Sequence, residues 1–410
     1  MFELIKDIGI KKLVQIEIIL FLCVILSGFI HIYIFNSHFN IYFFEFLNGQ
    51  VFSDFKSVLT YASLDNPYNK GLHPAPANYP PFAYFMLAPL SIFNTKFAFL
   101  IYLIIIGAVL FFTFFNLKSS LKINNSKLFF LATFIMLSHP FLFAIFRGNL
   151  DLVVGILLLN LLNFQHRKSY IPGILIGIAG AIKIIPLAFC IYFIAIRNFK
   201  NLLSCILCFV SLTAVSLVYY ELSFLSFLSF FSIEYTEYKE IYVIGDGAMN
   251  FFSDPWLVIS GFFKFLGHSE ILLSNYYIIY NIVQIIWMAL LTLFIVCKGK
   301  ELSPIFVLLL IGMMVIGFPA PSNDYKILYM LPGAVYFICN TNNHTMAIYT
   351  LGIPTILLFL HYSFFYVFDS ISISSLVRPI IYLSSMIGIT FIILKNLINN
   401  EGSFIKELKN

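Results

Sequence analysis

The sequence contains very little charge for its length. Of its 410 residues only 10% are Asp, Glu, Lys or Arg, 60% are hydrophobic, and the mean hydropathy is +0.94. Soluble globular domains carry about a quarter charged residues, so this composition excludes one. Apolar runs of roughly 20 residues, the length that crosses a bilayer as a helix, recur along the chain. The composition therefore predicts an all-α polytopic membrane protein surrounded by membrane lipid.

Cysteine and histidine are also scarce, with six and eight copies. All six Cys lie in or at the ends of apolar runs, so disulfides are not expected, and Cys205 and Cys208 are interpreted as packing residues. No H-E-x-x-H or H-x-x-x-H pattern and no Gly-rich phosphate loop occurs. We therefore predict no metal ligands and no nucleotide-sugar donor; a divalent cation is optional. The basic residues form no patch, which excludes nucleic acid as a partner.

The apolar runs predict about twelve transmembrane helices, over residues 13–35, 95–117, 128–146, 150–164, 171–183, 184–196, 201–219, 276–297, 302–318, 325–339, 345–362 and 379–398. Shorter runs, 82–93 and 252–266, predict half-helices that enter from the outer face. Lys and Arg in short loops stay in the cytoplasm, which places both termini inside. The acid-rich loops 36–94 and 220–275 then face outward. We expect one integral membrane domain over residues 1–410.

The segment FSDFKSVLTYASLDNPYN, residues 52–69, is a polar passage that follows the first predicted span. Its apolar spacing predicts a short helix in the outer interface, with Ser53 as the N-cap and Asp54 in the first turn. There the helix dipole favours an ionised carboxylate, which can accept a proton from a hydroxyl group. The alternative is that Asp54 only stabilises the start of the helix.

The same loop continues with turns and aromatic residues. Asp65 belongs to a predicted turn, and Tyr68 and Tyr79 lie among prolines that favour extended backbone. Such a set suits a wall that faces a substrate. It equally suits an ordinary belt of aromatic residues at the membrane interface.

The segment FRGNLDLVVG places Arg147, Asn149 and Asp151 between two predicted spans. Gly148 suits a tight turn there. Arg147 has two interpretations of similar weight. It either pairs with Asp151 or binds an anionic phosphate group.

Two further segments carry charge at membrane depth, where charge is costly and indicates function. In IPGILIGIAGAIKIIPLAFCIYFIAI, Lys183 lies mid-run and Pro186 follows, which predicts a helix break that turns the Lys183 ammonium toward an outer water-filled cavity. In GFPAPSNDYKILYMLPG, Asp324, Tyr325 and Lys326 are expected to face the same cavity.

The ordered set SDFKSVLTYASLDNPYN, NYPPFAYFMLAPL, RGNLD and IPGILIGIAGAIKIIPLAFCIYFI resembles the GT-C membrane glycosyltransferases of family 87, which depend on polyprenyl-phosphate mannose. The resemblance implies a GT-C-like bundle that transfers a hexose such as mannose from a polyprenyl-phosphate donor to a glycolipid or glycan acceptor of the cell envelope. The reaction would occur at the outer face of the cytoplasmic membrane. Asp54 matches the acidic base of the family, and Lys183 matches its basic residue.

The expected mechanism is a single inverting displacement. Asp54 would be the base, and Lys183, Arg147 and Lys326 would bind the donor phosphate. The expected substrate-lining residues are Asp65, Tyr68, Tyr79, Asn149, Asp151, Asp324 and Tyr325. Two alternatives remain open: a membrane transporter or flippase of lipid-linked glycans, which predicts inverted repeats that we do not find, and a glycan polymerase, which relies on Arg-rich outer loops.

Overall fold

The protein is described from a computed structural model, in which the placed residues are 11–12, 14–22, 52–68, 77–164, 169–240, 255–267, 270–317, 324–339, 346–360, 366–368 and 371–399. This part of the chain is helical, apart from one short antiparallel pair formed by β1 (Tyr366–Phe368) and β2 (Ile371–Ser372). The predicted all-α class is confirmed for these residues.

After a helical stretch at residues 14–22, the helices up to the middle of the chain are α1 (Ser53–Ala62), α2 (Pro81–Leu87), α3 (Thr95–Ser120), α4 (Asn125–Leu137), α5 (His139–Arg147), α6 (Asp151–Leu159), α7 (Leu161–Phe164), α8 (Ile171–Ile182), α9 (Cys190–Ala195) and α10 (Phe199–Tyr219). They are followed by α11 (Phe224–Lys239), α12 (Pro255–Phe265), α13 (Glu270–Lys298), α14 (Pro304–Gly317), α15 (Leu331–Cys339), α16 (Met346–Phe359) and α17 (Ile373–Asn399). Three 3-10 segments lie between them: Ala88–Leu90, Ile185–Phe189 and Asp324–Met330.

Three of the described helical stretches are long and apolar enough to cross a membrane: Thr95–Ser120, Phe199–Tyr219 and Ser274–Lys298. These apolar helices indicate a membrane protein. Most of the other predicted spans coincide with apolar helices of 10 to 17 residues, which is shorter than the roughly 20 residues a straight span needs. The predicted number of twelve spans is therefore not confirmed.

The predicted span 128–146 is two helices rather than one. The helices α4 and α5 meet at an angle of 56°. Ser138 between them has extended backbone, and Pro140 lies in the first turn of α5. Proline lacks an N–H group and clashes with a preceding helical turn, so the helix has to end here and restart. This break turns the end of α5 toward α6.

The packing of α8 on α10 depends on two glycines of α8. A Cβ atom on Gly173 would lie 2.1 Å from the Asn201 carbonyl oxygen, and one on Gly177 would lie 2.8 Å from that of Cys205. Only glycine lets the two backbones approach this closely. This close contact holds α8 against α10.

Candidate functional site

The helix α1 begins one residue earlier than expected. Ser53 is its first residue rather than its N-cap; Phe52 occupies the cap with a left-handed backbone, and no side chain caps the helix. The Phe52 N–H donates to the Phe146 carbonyl at 3.1 Å, which ties the start of α1 to the end of α5. Asp54 lies in the first turn, as predicted.

The Asp54 carboxylate is held by three hydrogen bonds from the turn between α5 and α6. Its Oδ1 accepts from Arg147 Nε at 3.0 Å and Nη2 at 2.7 Å, and its Oδ2 accepts from Asn149 Nδ2 at 2.7 Å. The Asp54 side chain is 18% exposed and that of Arg147 is 25% exposed. A carboxylate has about four acceptor positions, so Oδ2 can accept one further hydrogen bond.

Gly148 allows this approach. Its φ is +64°, which favours glycine, and it ends α5 as a left-handed cap. A Cβ atom here would lie 2.5 Å from the Phe55 Cβ. A side chain at position 148 would therefore push α1 away and separate Asp54 from Arg147.

The second carboxylate, Asp151, is fully buried and has two partners of its own. Its Oδ2 pairs with Lys183 Nζ, and its Oδ1 accepts from the Tyr329 hydroxyl. The alternative in which Arg147 pairs with Asp151 is wrong in the assignment of partners, because Arg147 pairs with Asp54 and Lys183 takes Asp151. Two cations are thus distributed over two carboxylates.

Asn149 connects the two pairs. Its Nδ2 donates to Asp54, and its Oδ1 accepts from the Asp151 N–H at 2.9 Å. The side chain is 2% exposed. One buried amide therefore fixes the relative position of both carboxylates, which are 97 residues apart by their numbering in the chain.

The predicted break at Lys183 is present. The helix α8 ends at Ile182, Lys183 is extended with φ −143° and ψ 135°, and a 3-10 segment begins at Ile185. The Lys183 ammonium lies 4.8 Å from the ring centre of Tyr79 and 5.3 Å from that of Tyr325. Both distances suit cation–π attraction.

An aromatic wall joins the two cations. The Tyr325 ring lies 5.3 Å from the Phe143 ring, and the Arg147 guanidinium carbon lies 5.8 Å from the centre of Phe143. We use the name aromatic wall for Tyr79, Tyr325 and Phe143. This wall borders both ion pairs on one side.

The 3-10 segment Asp324–Met330 enters the site because α6 has a glycine where the two touch. A Cβ atom on Gly155 would lie 2.8 Å from the Leu328 Cβ. Gly155 is one turn after Asp151, and Tyr329 follows Leu328, so this contact brings the hydroxyl to the carboxylate. Lys326, in the same segment, is 6% exposed. The side chain of Asp324 lies outside the described residues.

Each charge of the two pairs lies at a helix end that favours it. Asp54 and Asp151 are in first turns, Arg147 is in a last turn, and Lys183 caps a C-terminus. The partial charges at helix ends stabilise anions at N-termini and cations at C-termini. Four helix ends thus converge on one cluster and support its charges.

Two of the predicted site residues lie away from this cluster. Asp65 is exposed beyond the far end of α1, about 15 Å from Asp54 along a ten-residue helix. Tyr68 is 1% exposed and donates from its hydroxyl to the Tyr79 carbonyl at 2.7 Å. Tyr68 therefore holds the backbone of Tyr79, a member of the aromatic wall.

The Tyr79 ring is in electrostatic contact with both carboxylates. Burial, and then the charges of Asp151 and Asp54, hold the pKa of Tyr79 well above its usual range. The phenol therefore stays neutral further into alkaline pH than a solvent-exposed tyrosine does.

Tyr329 and Phe143 are site residues that the sequence analysis missed. Both are aromatic residues in apolar runs, in a chain with 49 Phe and 24 Tyr, so composition does not single them out. Tyr329 lies three positions after Lys326, which in a 3-10 segment is one turn; that spacing was the available signal. Among the described residues no group of three or more His, Cys, Asp or Glu side chains could hold a metal ion.

The sequence model of glycosyltransferase family 87 matches residues 78–319, which is more than half of the chain. The match covers Tyr79, the segment from Arg147 to Asp151, and Lys183, and it ends before the 3-10 segment that carries Tyr329. Asp54 precedes it. No curated protein and no solved structure matches the chain.

Proposed function

The chain belongs to glycosyltransferase family 87 and is a glycosyltransferase, and from this premise we propose that it transfers a hexose, mannose first among candidates, from a polyprenyl-phosphate donor to a glycolipid or glycan acceptor. The proposed protein is a GT-C-like bundle of about twelve spans in the cytoplasmic membrane. Both termini lie in the cytoplasm, and the site faces outward. The observation that carries the proposal is the convergence of Asp54 with the cluster around Lys183.

Asp54 is the proposed base. An acceptor hydroxyl binds at Oδ2, the carboxylate oxygen with only one protein partner, which comes from Asn149. The hydroxyl oxygen attacks the anomeric carbon while the bond from that carbon to the phosphate oxygen breaks. The proton passes to Asp54, polyprenyl phosphate leaves, and the anomeric configuration inverts.

The donor phosphate is proposed to bind Lys183, Arg147 and Lys326. A phosphodiester carries one negative charge, and ammonium and guanidinium groups are the side chains that pair with phosphate oxygens. Lys183 uses one of its three N–H donors on Asp151 and has two for phosphate oxygens. Fixed charge at a partly dry site stabilises the leaving phosphate.

Arg147 is proposed to exchange partners during the reaction. In this structure the Arg147 guanidinium donates from Nε and Nη2 to Asp54. A bound phosphate offers the guanidinium a second anion of matching geometry. When Arg147 turns to that phosphate, Asp54 Oδ1 is released, and the carboxylate becomes a better proton acceptor. Tyr79, Tyr325, Asn149 and Asp151 would border the bound sugar; for Asp65 and Tyr68 this role stays a prediction.

The test is a transfer assay on the purified chain in lipid vesicles. Synthetic polyprenyl-phosphate mannose is supplied with membranes of the expression host as acceptor, and released polyprenyl phosphate and the mass of the product are measured. Parallel reactions contain polyprenyl-phosphate glucose or a nucleotide-linked mannose. We expect turnover with a lipid-linked sugar and inversion at the anomeric carbon by NMR. Turnover with the nucleotide sugar alone would contradict the proposed donor.

The transporter alternative predicts movement of a lipid-linked glycan without release of polyprenyl phosphate. The same vesicles test it, because transport leaves the bond between sugar and phosphate intact. Family membership favours transfer over transport. The divalent cation remains a prediction, which addition of a chelator to the same assay tests.

A further inference from the structure

Glu234 of α11 is a buried carboxylate that the mechanism above does not use. It is 5% exposed, and its Oε2 accepts a hydrogen bond from the Ala77 N–H at 2.7 Å. The two residues are 157 positions apart. A charged acceptor makes a stronger hydrogen bond to a backbone N–H than a neutral one does. A side chain of the predicted outer loop 220–275 thus binds the backbone of the predicted outer loop 36–94.

The segment held by Glu234 leads directly to the aromatic wall. Ala77 is two residues before Tyr79, whose ring lies 4.8 Å from the Lys183 ammonium. Pro80 and Pro81 follow and have no N–H groups, so this extended stretch has few donors with which to fix itself. Two of those donors go to side chains: Ala77 to Glu234, and Tyr79 to the Tyr84 hydroxyl at 3.2 Å.

The charge of Glu234 also acts on α1, the helix that carries Asp54. Burial, with the nearby charges of Glu234 and Glu237, raises the pKa of Tyr61 on α1 to about 12. Tyr61 packs edge-on against Tyr84 with ring centres 5.9 Å apart. The carboxylate therefore sits where α11, α1 and the start of α2 meet.

We propose that Glu234 is a positioning residue for the donor site, which sets the place of Tyr79 over Lys183 by holding the Ala77 N–H. The inference rests on the proposed function. Without this bond the segment from Ala77 to Pro80 loses its attachment to α11, and the Tyr79 ring shifts from the ammonium. Because the ring borders the donor phosphate site, donor affinity falls.

The experiment compares Glu234→Ala, Glu234→Gln and the control Glu240→Ala, all as full chains in lipid vesicles. Glu240 is exposed at the end of the same helix. Two quantities are measured: amide hydrogen exchange of the peptide containing Ala77, and the KM for polyprenyl-phosphate mannose. Loss of folded protein lowers the maximal rate and leaves KM unchanged, so KM separates positioning from stability.

We expect faster exchange and a KM increase of about tenfold for Glu234→Ala, in line with the cost of misplacing a substrate-positioning group. Glu234→Gln keeps an acceptor oxygen and should retain most of both properties, and Glu240→Ala should match the wild type. Ala77→Pro removes the donor while Glu234 stays, so it should raise KM as Glu234→Ala does; it serves as the second variant if Glu234→Ala does not accumulate.

A wild-type KM in Glu234→Ala despite faster exchange, or a wild-type KM in Ala77→Pro, would overturn the inference. A wild-type protein that releases no polyprenyl phosphate from any lipid-linked sugar would instead remove the proposed function, and the inference with it. The two failures are distinguishable because the second appears before any variant is made.

Discussion

The two ion pairs of the cluster differ in exposure. In the pair of Asp54 and Arg147 the side chains are 18% and 25% exposed, whereas in the pair of Asp151 and Lys183 they are 0% and 18% exposed. The Asp54 carboxylate is thus partly open to solvent in this structure, whereas the Asp151 carboxylate is covered by its neighbours. The first pair can therefore change partners, and the second is suited to hold a cation in place.

The two carboxylates also differ in how far apart in the chain their partners lie. Asp54 receives donors from one short turn, residues 147 to 149. Asp151 receives Lys183 from the break after α8 and Tyr329 from the late 3-10 segment. Asp151 thus joins three distant parts of the chain. These contacts agree with the proposal that Asp54 takes part in the chemistry, and they make Asp151 the residue that holds the cluster together.

The largest effect is expected for Asp54→Asn. The amide keeps the shape of the carboxylate but cannot take up the proton, and loss of a general base lowers rates by about 100-fold to 10,000-fold. We expect release of polyprenyl phosphate to fall by about a thousandfold while the folded yield stays unchanged. The control is Lys56→Gln, two residues on and exposed in the same helix. Turnover that survives in Asp54→Asn would show that Asp54 is not the base.

Asp151→Leu is expected to act on stability first. It leaves Lys183 without its carboxylate in a largely buried site, which costs about 3 kcal/mol. The double variant Asp151→Leu with Lys183→Met replaces the pair by apolar groups and should recover most of that loss. Thermal unfolding in detergent measures both.

The double variant should remain without transfer activity, because it lacks the cation proposed for the phosphate. Equal destabilisation of the single and double variants would show that the ion pair itself stabilises the fold. In that case Asp151 would be more than a partner that compensates the charge of Lys183.

The sequence identified the charged members of the cluster, and the reason is energetic. Asp54 and Asp151 stand at the margins of apolar runs and Lys183 lies within one, and an ionised group at membrane depth is costly unless it has a function. The break at Lys183 was predictable because Pro186 removes a backbone hydrogen bond close to a charge. These are local signals, readable in one segment at a time.

The pairing was not predictable, because it depends on how distant segments meet. Arg147 has Asp151 four residues away, yet it pairs with Asp54, 93 residues away. The missing side chain at Gly148 lets α1 approach Arg147. The segment around Gly148 does not itself indicate which helix will pack there. The number of membrane spans was not predictable for a similar reason. Whether a short apolar helix crosses the membrane or only enters it depends on the helices packed around it.

Gly155→Ala tests the contact that brings Tyr329 to the buried carboxylate of Asp151. The added methyl group would lie 2.8 Å from the Leu328 Cβ, so the 3-10 segment has to move and carry Tyr329 from Asp151. Overpacking of this kind costs about 1 to 3 kcal/mol, and transfer should fall about tenfold because the wall residue Tyr325 moves as well.

Gly107→Ala is the matched control for that variant. Gly107 lies within α3, and nothing stands within 4 Å of a Cβ atom built there. Replacing an exposed helix glycine by alanine stabilises by up to about 1 kcal/mol. Unfolding midpoints that move in opposite directions for the two variants support the close contact at Gly155. A Gly155→Ala protein as stable and active as Gly107→Ala contradicts it.

The smallest effect is expected for Tyr79→Phe, which tests whether burial and the two carboxylates raise the pKa of the Tyr79 phenol. Burial and the charges of Asp151 and Asp54 raise the pKa of Tyr79 above its usual range, whereas in the unfolded chain it ionises near pH 10. A raised folded pKa means that the neutral phenol's contribution to stability is complete below about pH 10 and falls as the pH rises beyond it.

Unfolding midpoints of wild type and Tyr79→Phe are therefore expected to differ by a constant amount from about pH 7 to pH 9. Above about pH 10 the wild type should lose stability faster, by about 1 kcal/mol for each further pH unit. Curves that stay parallel to about pH 11 would mean that Tyr79 ionises as easily in the folded chain as in the unfolded one. The ring would then lie open to solvent and apart from Asp54 and Asp151.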